Sequence, residues 1–168
     1  MTDLLQWLEA TAVATFVRES PSLLGYTFVL SMHAAGLAIV VGVNTAISLR
    51  LLGVAPSIPV APLGKLFPVM YTGFTINAIS GTLLFMASAT TMGASVMFLS
   101  KMVFVVLGFI GIELLRANVF SQVVELEKGS LPPKAKLFAS FSLVAWGAAI
   151  ISGRLTAYPN FVSSLLGL

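Results

Sequence analysis

His33 is the first of the few side chains in this sequence that could do chemistry in an apolar environment. It is the only histidine in 168 residues, and it lies inside a long apolar stretch. A histidine buried in lipid is costly and usually functional, and axial ligation of haem iron is one such function. Gly36 lies one turn further along the same helical face, which would leave room for a flat macrocycle. The simpler alternative is a neutral histidine that is hydrogen-bonded to a neighbouring helix.

Two cations also lie inside apolar stretches, Lys101 near the start of one and Arg154 near the end of another. A cationic pair above a buried histidine would suit haem propionates, an anionic quinone or another anionic substrate. The alternative is that both side chains extend to the lipid headgroups, which their positions permit.

Met86 and Met92, in the outer half of the second apolar stretch, are candidates for a second axial ligand of the iron. A ligand from a neighbouring protomer, or an open position, is equally allowed. Methionine also suits Cu(I), although the sequence has no Met-x-x-Met cluster. The absence of cysteine excludes disulfides, thiolate metal sites and iron–sulfur clusters. No residue is assigned a catalytic role, because there is no phosphate-binding loop, no Ser–His–Asp arrangement and no pair of intramembrane carboxylates.

The composition requires a membrane to hold these groups. Hydrophobic residues make up 58% of the chain and charged residues 9%, and the mean hydropathy is +1.01. Soluble domains carry roughly a quarter charged residues. The formal charge of +3 is too small and too dispersed for nucleic-acid binding. We therefore expect one membrane domain over residues 1–168, with lipid as its solvent.

The hydropathy pattern predicts an all-α integral membrane four-helix bundle with an N-terminal amphipathic helix. Apolar residues at helical spacing between polar ones predict that residues 1–19 lie in the membrane interface, with Trp7 as an anchor. Each predicted span has at least about 20 residues, enough to cross the hydrocarbon core. The predicted spans are residues 22–50, 65–92, 95–119 and 136–157.

Lysine and arginine positions predict the orientation. The two longer loops hold six of them (Arg50, Lys65, Arg116, Lys128, Lys134 and Lys136), whereas the other side holds Arg18, Lys101 and Arg154. By the positive-inside rule both termini face the periplasm of a bacterial inner membrane. This topology brings His33, Lys101 and Arg154 into the same outer leaflet.

Small residues recur at helical spacing on three spans and predict close helix packing. The same surfaces make a homo-oligomer, a dimer or trimer, plausible. Asn77 is expected to hydrogen-bond between helices. The three seams are Ala35, Ala38, Gly42 and Ala46; Gly73, Asn77 and Gly81; and Ser142, Ala145, Ala149 and Ser152.

Several motifs together resemble an uncharacterised bacterial family of small four-helix membrane proteins, and the resemblance covers nearly the whole chain. Family members usually have an acid three residues before the histidine and an aspartate two before the arginine, where this chain has Leu30 and Ser48. The matching pieces are Leu4–Ala10, Met32–Ala38, Leu49–Gly53, Ser80–Phe85, Lys101, Trp146 and Gly153–Arg154.

The layout is also similar to the HemJ family of membrane protoporphyrinogen oxidases, which bind haem b, and more loosely to the CopD family of copper-resistance proteins. The HemJ resemblance implies His33 as the iron ligand and Lys101 as the second key residue.

These observations lead to three hypotheses. The first is a b-type haem protein with a redox role, such as electron transfer or the oxidation of quinol or porphyrinogen. The second is a non-enzymatic membrane subunit of a larger or homo-oligomeric complex. The third is a copper-handling protein.

Overall fold

Helices are the regular secondary structure of the protein wherever its structure is described. The computed structural model describes residues 2–122, 126 and 131–158, and no strand occurs among them. Four helices are long and apolar enough to cross a membrane. The predicted fold class, an all-α integral membrane helical bundle, is confirmed. Lys128, one of the six basic residues used to predict the orientation, and residues 159–168 lie outside the described residues.

The four long helices match the predicted spans closely, with shifts of a few residues at their ends. Between 17% and 39% of the residues in their most apolar windows are buried, so most of their apolar surface is left for lipid or for another protein chain. In chain order the elements are α1 (Thr2–Glu9), α2 (Ala12–Glu19), α3 (Tyr26–Leu52), a 3₁₀ helix (Ala61–Leu66), α4 (Phe67–Ala87), α5 (Ala89–Gly93), α6 (Val96–Asn118) and α7 (Ala135–Leu155).

Two predicted helices are interrupted. The predicted N-terminal helix is split at Thr11, whose backbone is extended and whose hydroxyl accepts a hydrogen bond from the Ala14 amide, which caps α2. The predicted span 65–92 is split at Ser88, which has φ −148° and ψ 40°. The membrane-crossing part of that span therefore ends at Ala87, and α5 is a separate short helix.

The chain forms two compact units. Unit 1 comprises Met1–Gly42 and Pro68–Ser95, and unit 2 comprises Val43–Phe67 and Val96–Leu168. In unit 1, Val17 of α2 belongs to one buried apolar cluster with residues of α3 and α4, namely Val29, Leu84 and Ala87, and with Leu83 packed against it.

Glycines bring α3 and α4 into backbone contact in unit 1. A Cβ added at Gly36 would lie 2.7 Å from the Asn77 nitrogen and 2.8 Å from the Gly73 oxygen. A Cβ at Gly73 would lie 2.6 Å from a methyl group of Ile39. The predicted seam of Gly73, Asn77 and Gly81 is therefore a contact face. The predicted seam on α3 is wrong within this chain, because Ala35, Ala38, Gly42 and Ala46 are all exposed.

In unit 2, α6 and α7 pack closely along the predicted α7 seam, whose four members are buried. A Cβ at Gly108 would lie 2.8 Å from the Trp146 ring, and one at Gly111 would lie 2.8 Å from Ser142. The Ser142 hydroxyl donates a hydrogen bond of 2.8 Å to Asn44 Oδ1, and both residues are fully buried. The α7 seam is thus confirmed, and it includes a polar contact with α3.

A carboxylate holds the N-terminal helices of unit 1 to α5. Glu9 Oε1 accepts hydrogen bonds of 2.9 Å from both the amide and the hydroxyl of Thr90. These bonds, with a smaller contribution from Arg18, hold the pKa of Glu9 below its ordinary value of 4.5. The Arg18 guanidinium also donates to the Ala87 carbonyl at 3.3 Å, so α2 contacts the end of α4.

Glu9 should therefore make this contact pH-dependent. Because the pKa of Glu9 is lowered in the folded protein, its contact with Thr90 contributes fully to stability above pH 4.5, the ordinary pKa. That contribution is lost as the pH falls through the pKa of Glu9 in the folded protein. We expect protection of the Thr90 amide from hydrogen exchange, corrected for intrinsic rates, to fall over that range in the wild type. In Glu9→Gln the protection should already be low at pH 7 and should change little. Glu19→Gln is the matched control, and a similar loss there would contradict the role of Glu9.

Candidate functional site

His33 lies against α4 and exchanges hydrogen bonds with Asn77. Its Nδ1 is 3.0 Å from the Asn77 main-chain oxygen. The Asn77 side-chain amide donates to the main-chain oxygen of His33 at 2.7 Å. The expected interhelical role of Asn77 is confirmed. We refer to these two contacts as the His33–Asn77 pair.

The His33–Asn77 pair determines the tautomer of the imidazole. A carbonyl oxygen can only accept a hydrogen bond, so Nδ1 must carry the proton in this contact. In the neutral ring Nε2 then carries the lone pair. A histidine that ligates a metal through Nε2 commonly has this arrangement, because the carbonyl holds the ring in place and raises its basicity.

Ser80 and Gly81 complete the surroundings of the ring. The Ser80 hydroxyl lies 3.3 Å from His33 Nδ1 and donates to the Ile76 main-chain oxygen at 2.6 Å. A Cβ at Gly81 would lie 2.9 Å from His33 Cε1, so glycine is what allows the ring to pack there. The sequence reasoning gave Ser80 no role, although the Ser80-Gly81 dipeptide opens one of the motifs that carried the family resemblance.

Gly36 does not face open space. The backbone of α4 occupies the volume beside it, at distances that would exclude a methyl group. The prediction that Gly36 makes room for a macrocycle gains no support from this packing. A small apolar cavity of about 230 Å³ lies on the α3–α4 surface of unit 1, with Met32, Ile79 and Ser80 among its lining residues.

Met86 lies on another face of α4 from the one that meets His33. It follows Asn77 by nine residues in the sequence. At 3.6 residues per turn, nine residues are about two and a half turns, so Met86 lies on roughly the opposite side of the helix from Asn77. The prediction of Met86 as a second ligand is not supported by this geometry. Among residues 2–122, 126 and 131–158, no three histidine, aspartate or glutamate side chains group as a metal site.

The two predicted cations belong to unit 2, where the structure brings Lys101 to the end of α7. The aliphatic part of Lys101 crosses Gly153, the residue before Arg154; a Cβ built on Gly153 would lie 3.2 Å from Lys101 Cδ. Arg154 donates to the Tyr158 hydroxyl at 2.8 Å, and its guanidinium lies 5.1 Å from the centre of that ring. Tyr158 was not anticipated, although its i+4 spacing from Arg154 is readable in the sequence.

The four long apolar helices define a multi-pass membrane protein. Its candidate site in unit 1 is the half-buried His33–Asn77 pair, in which hydrogen bonds hold the imidazole in place inside a membrane span. No protein-family model, curated protein or solved structure matches the chain.

Proposed function

We propose that the protein binds haem b in the membrane and has a redox role, with His33 as an axial ligand of the iron. The observation that carries this proposal is the hydrogen bond from His33 Nδ1 to the Asn77 main-chain oxygen, which leaves the lone pair on Nε2. Ser80 and Gly81 pack around the same ring and restrict its rotation. The resemblance of the sequence layout to the HemJ family adds support to this assignment.

Haem, when bound, would supply one-electron chemistry at its iron. The residues of this chain would hold the proton at Nδ1 and orient the imidazole through the Asn77 main-chain oxygen. Electron transfer, or oxidation of a quinol or a porphyrinogen, would be the corresponding activity. The roles of Lys101 and Arg154 as propionate partners stay predictions from the sequence.

A second candidate is a non-enzymatic membrane subunit, and the two-way character of the His33–Asn77 pair favours it. The pair uses one donor and one acceptor from each residue, so it can hold two helices together without any ligand. A dimer or trimer is part of this proposal, supported by the four exposed small residues of α3. Copper handling, the third candidate, is supported by the similarity to the CopD family and by methionines that suit Cu(I).

We propose further that the protein resides in a bacterial inner membrane with both termini in the periplasm. The support is the bias of lysines and arginines toward the two longer loops, six against three in the sequence. A quinone or a porphyrin is the partner that fits a redox protein in that membrane.

Visible spectroscopy tests the function directly. Protein purified in detergent from haem-replete cells should show a Soret band, with sharp bands at longer wavelength after reduction by dithionite. His33→Ala should lose this spectrum, and added imidazole should restore part of it, because free imidazole can replace the missing ligand.

Asn77→Ala is the matched control, since it removes the amide that donates to His33 while the main-chain acceptor for Nδ1 remains. It should keep the haem spectrum even if it weakens helix packing. A colourless wild-type protein with normal helicity would rule out haem and favour the subunit hypothesis. Elemental analysis for copper on the same sample tests the third candidate.

A further inference from the structure

One cavity of unit 2 lies where membrane-spanning helices begin and end. Its volume is about 770 Å³, within the roughly 300–1,000 Å³ range of small-molecule sites. Phe67, the first residue of α4, lines it together with Arg116 and Ala117 in the last turn of α6. Such a position corresponds to the level of the lipid headgroups.

The inner part of the cavity is apolar and aromatic. The rings of Phe67 and Phe120 meet edge to face, with centroids 5.2 Å apart and planes at 72°. Both side chains are buried, and the Phe120 ring approaches Gly64 so closely that a Cβ there would lie 3.1 Å from it. Pro59 and Pro62 add apolar lining. Hydrocarbon would therefore be accommodated here without loss of hydrogen bonds.

The rim of the cavity is cationic. Lys65 and Arg116 are exposed lining residues, and no carboxylate lines the cavity among the residues that the structure describes. Glu113, which does not line the cavity, forms an ion pair of 2.8 Å with Arg116. The Glu113 side chain is 34% exposed and the Arg116 side chain 54% exposed. A solvated pair of this kind is weak. An anionic group can therefore still be attracted by Arg116 and Lys65 together.

The loop that supplies Pro59 is held in place by the protein itself. The Arg50 guanidinium donates to the Pro56 main-chain oxygen at 2.9 Å and to that of Ile58. Gly53 turns the chain out of α3 with φ +106°, a conformation that glycine adopts without strain. Because these contacts are internal, this part of the cavity wall forms without a ligand.

We propose that this cavity binds one anionic phospholipid, with its phosphate between Lys65 and Arg116 and part of an acyl chain against Phe67 and Phe120. Basic pockets at the ends of membrane helices recognise acidic headgroups in this manner. The proposal concerns unit 2 alone and does not depend on whether His33 binds haem.

Native mass spectrometry of the full-length protein in detergent tests the proposal, with phosphatidylglycerol and phosphatidylcholine of identical acyl chains as probes. We expect tighter binding of phosphatidylglycerol by at least about five-fold. Lys65→Gln and Arg116→Gln should each weaken it by about five-fold, the effect of roughly 1 kcal/mol for each cation near an anionic headgroup. Binding of phosphatidylcholine should be unchanged in both variants.

Lys136→Gln is the matched control, because Lys136 is an exposed lysine near the start of α7 that does not line the cavity. It should bind both lipids as the wild type does. Ala117→Trp should weaken both lipids by filling the cavity. Equal affinity for the two lipids, an equal loss in Lys136→Gln, or displacement of phosphatidylglycerol by inorganic phosphate would each overturn the proposal.

Discussion

Replacing Gly36 by alanine is expected to lower the free energy of unfolding in mixed micelles by about 1–3 kcal/mol, the usual range for overpacking. The new methyl group would lie 2.7 Å from the Asn77 nitrogen and 2.8 Å from the Gly73 oxygen. Both are backbone atoms of α4, so no side-chain rotation can relieve the contact. The helices must separate, and the His33–Asn77 pair must lengthen with them.

Gly42→Ala is the matched control for Gly36→Ala because it makes the same chemical change on the same helix. A Cβ at Gly42 would have no heavy atom within 4 Å. Alanine is favoured over glycine in a helix by about 1 kcal/mol, so Gly42→Ala should be neutral or stabilising. Far-UV circular dichroism during denaturant titration measures both variants. Changes of the same sign and size would show that α3 and α4 do not pack through Gly36.

The contrast between Gly36 and Gly42 explains why the sequence predicted the spans but not the contact face of α3. Lipid-facing and protein-facing surfaces of a span are both apolar, so hydropathy does not distinguish them. Small residues occur on both sides of α3, and the more regular series at Ala35, Ala38 and Gly42 is the exposed one. Identifying the side of α3 that packs against α4 requires knowing which residues of the two helices lie next to each other.

The same limit applies to the candidate site. The sequence singled out His33 as an unusual residue and Asn77 as an interhelical hydrogen-bond donor. It could not pair them, because they are 44 residues apart and their contact depends on the crossing point near Gly36 and Gly73. On α7, by contrast, the predicted seam from Ser142 to Ser152 is correct, since its four members are buried and Ser142 packs against Gly111 of α6.

Local capping explains the error at the N-terminus. The apolar periodicity of residues 2–18 continues through Thr11, so a pattern of period 3.6 predicts one helix. A threonine can instead end one helix and begin the next, because its hydroxyl satisfies an amide that the second helix leaves without an acceptor. In this chain Thr11 caps α2 in that way and also donates to the Leu8 oxygen at 2.7 Å.

Replacing Gly108 by alanine is expected to lower the free energy of unfolding of unit 2 by about 1–3 kcal/mol. The added Cβ would lie 2.8 Å from Trp146 Cε2 and 2.9 Å from its Nε1. The indole is 1% exposed and rigid, so it has little room to move away. Gly147→Ala, next to Trp146 in the sequence, is the control, because a Cβ there would meet no atom within 4 Å.

A second substitution should partly rescue Gly108→Ala. Trp146 Nε1 has no hydrogen-bond partner among the described residues, so Trp146→Phe removes a buried, unsatisfied donor and sacrifices only packing volume. Trp146→Phe alone should destabilise unit 2 by leaving a cavity, whereas in the double variant the alanine methyl would occupy part of that space. A double-mutant cycle should therefore give a favourable coupling of about 0.5–3 kcal/mol. Strict additivity would mean that α6 and α7 do not meet at Gly108 and Trp146.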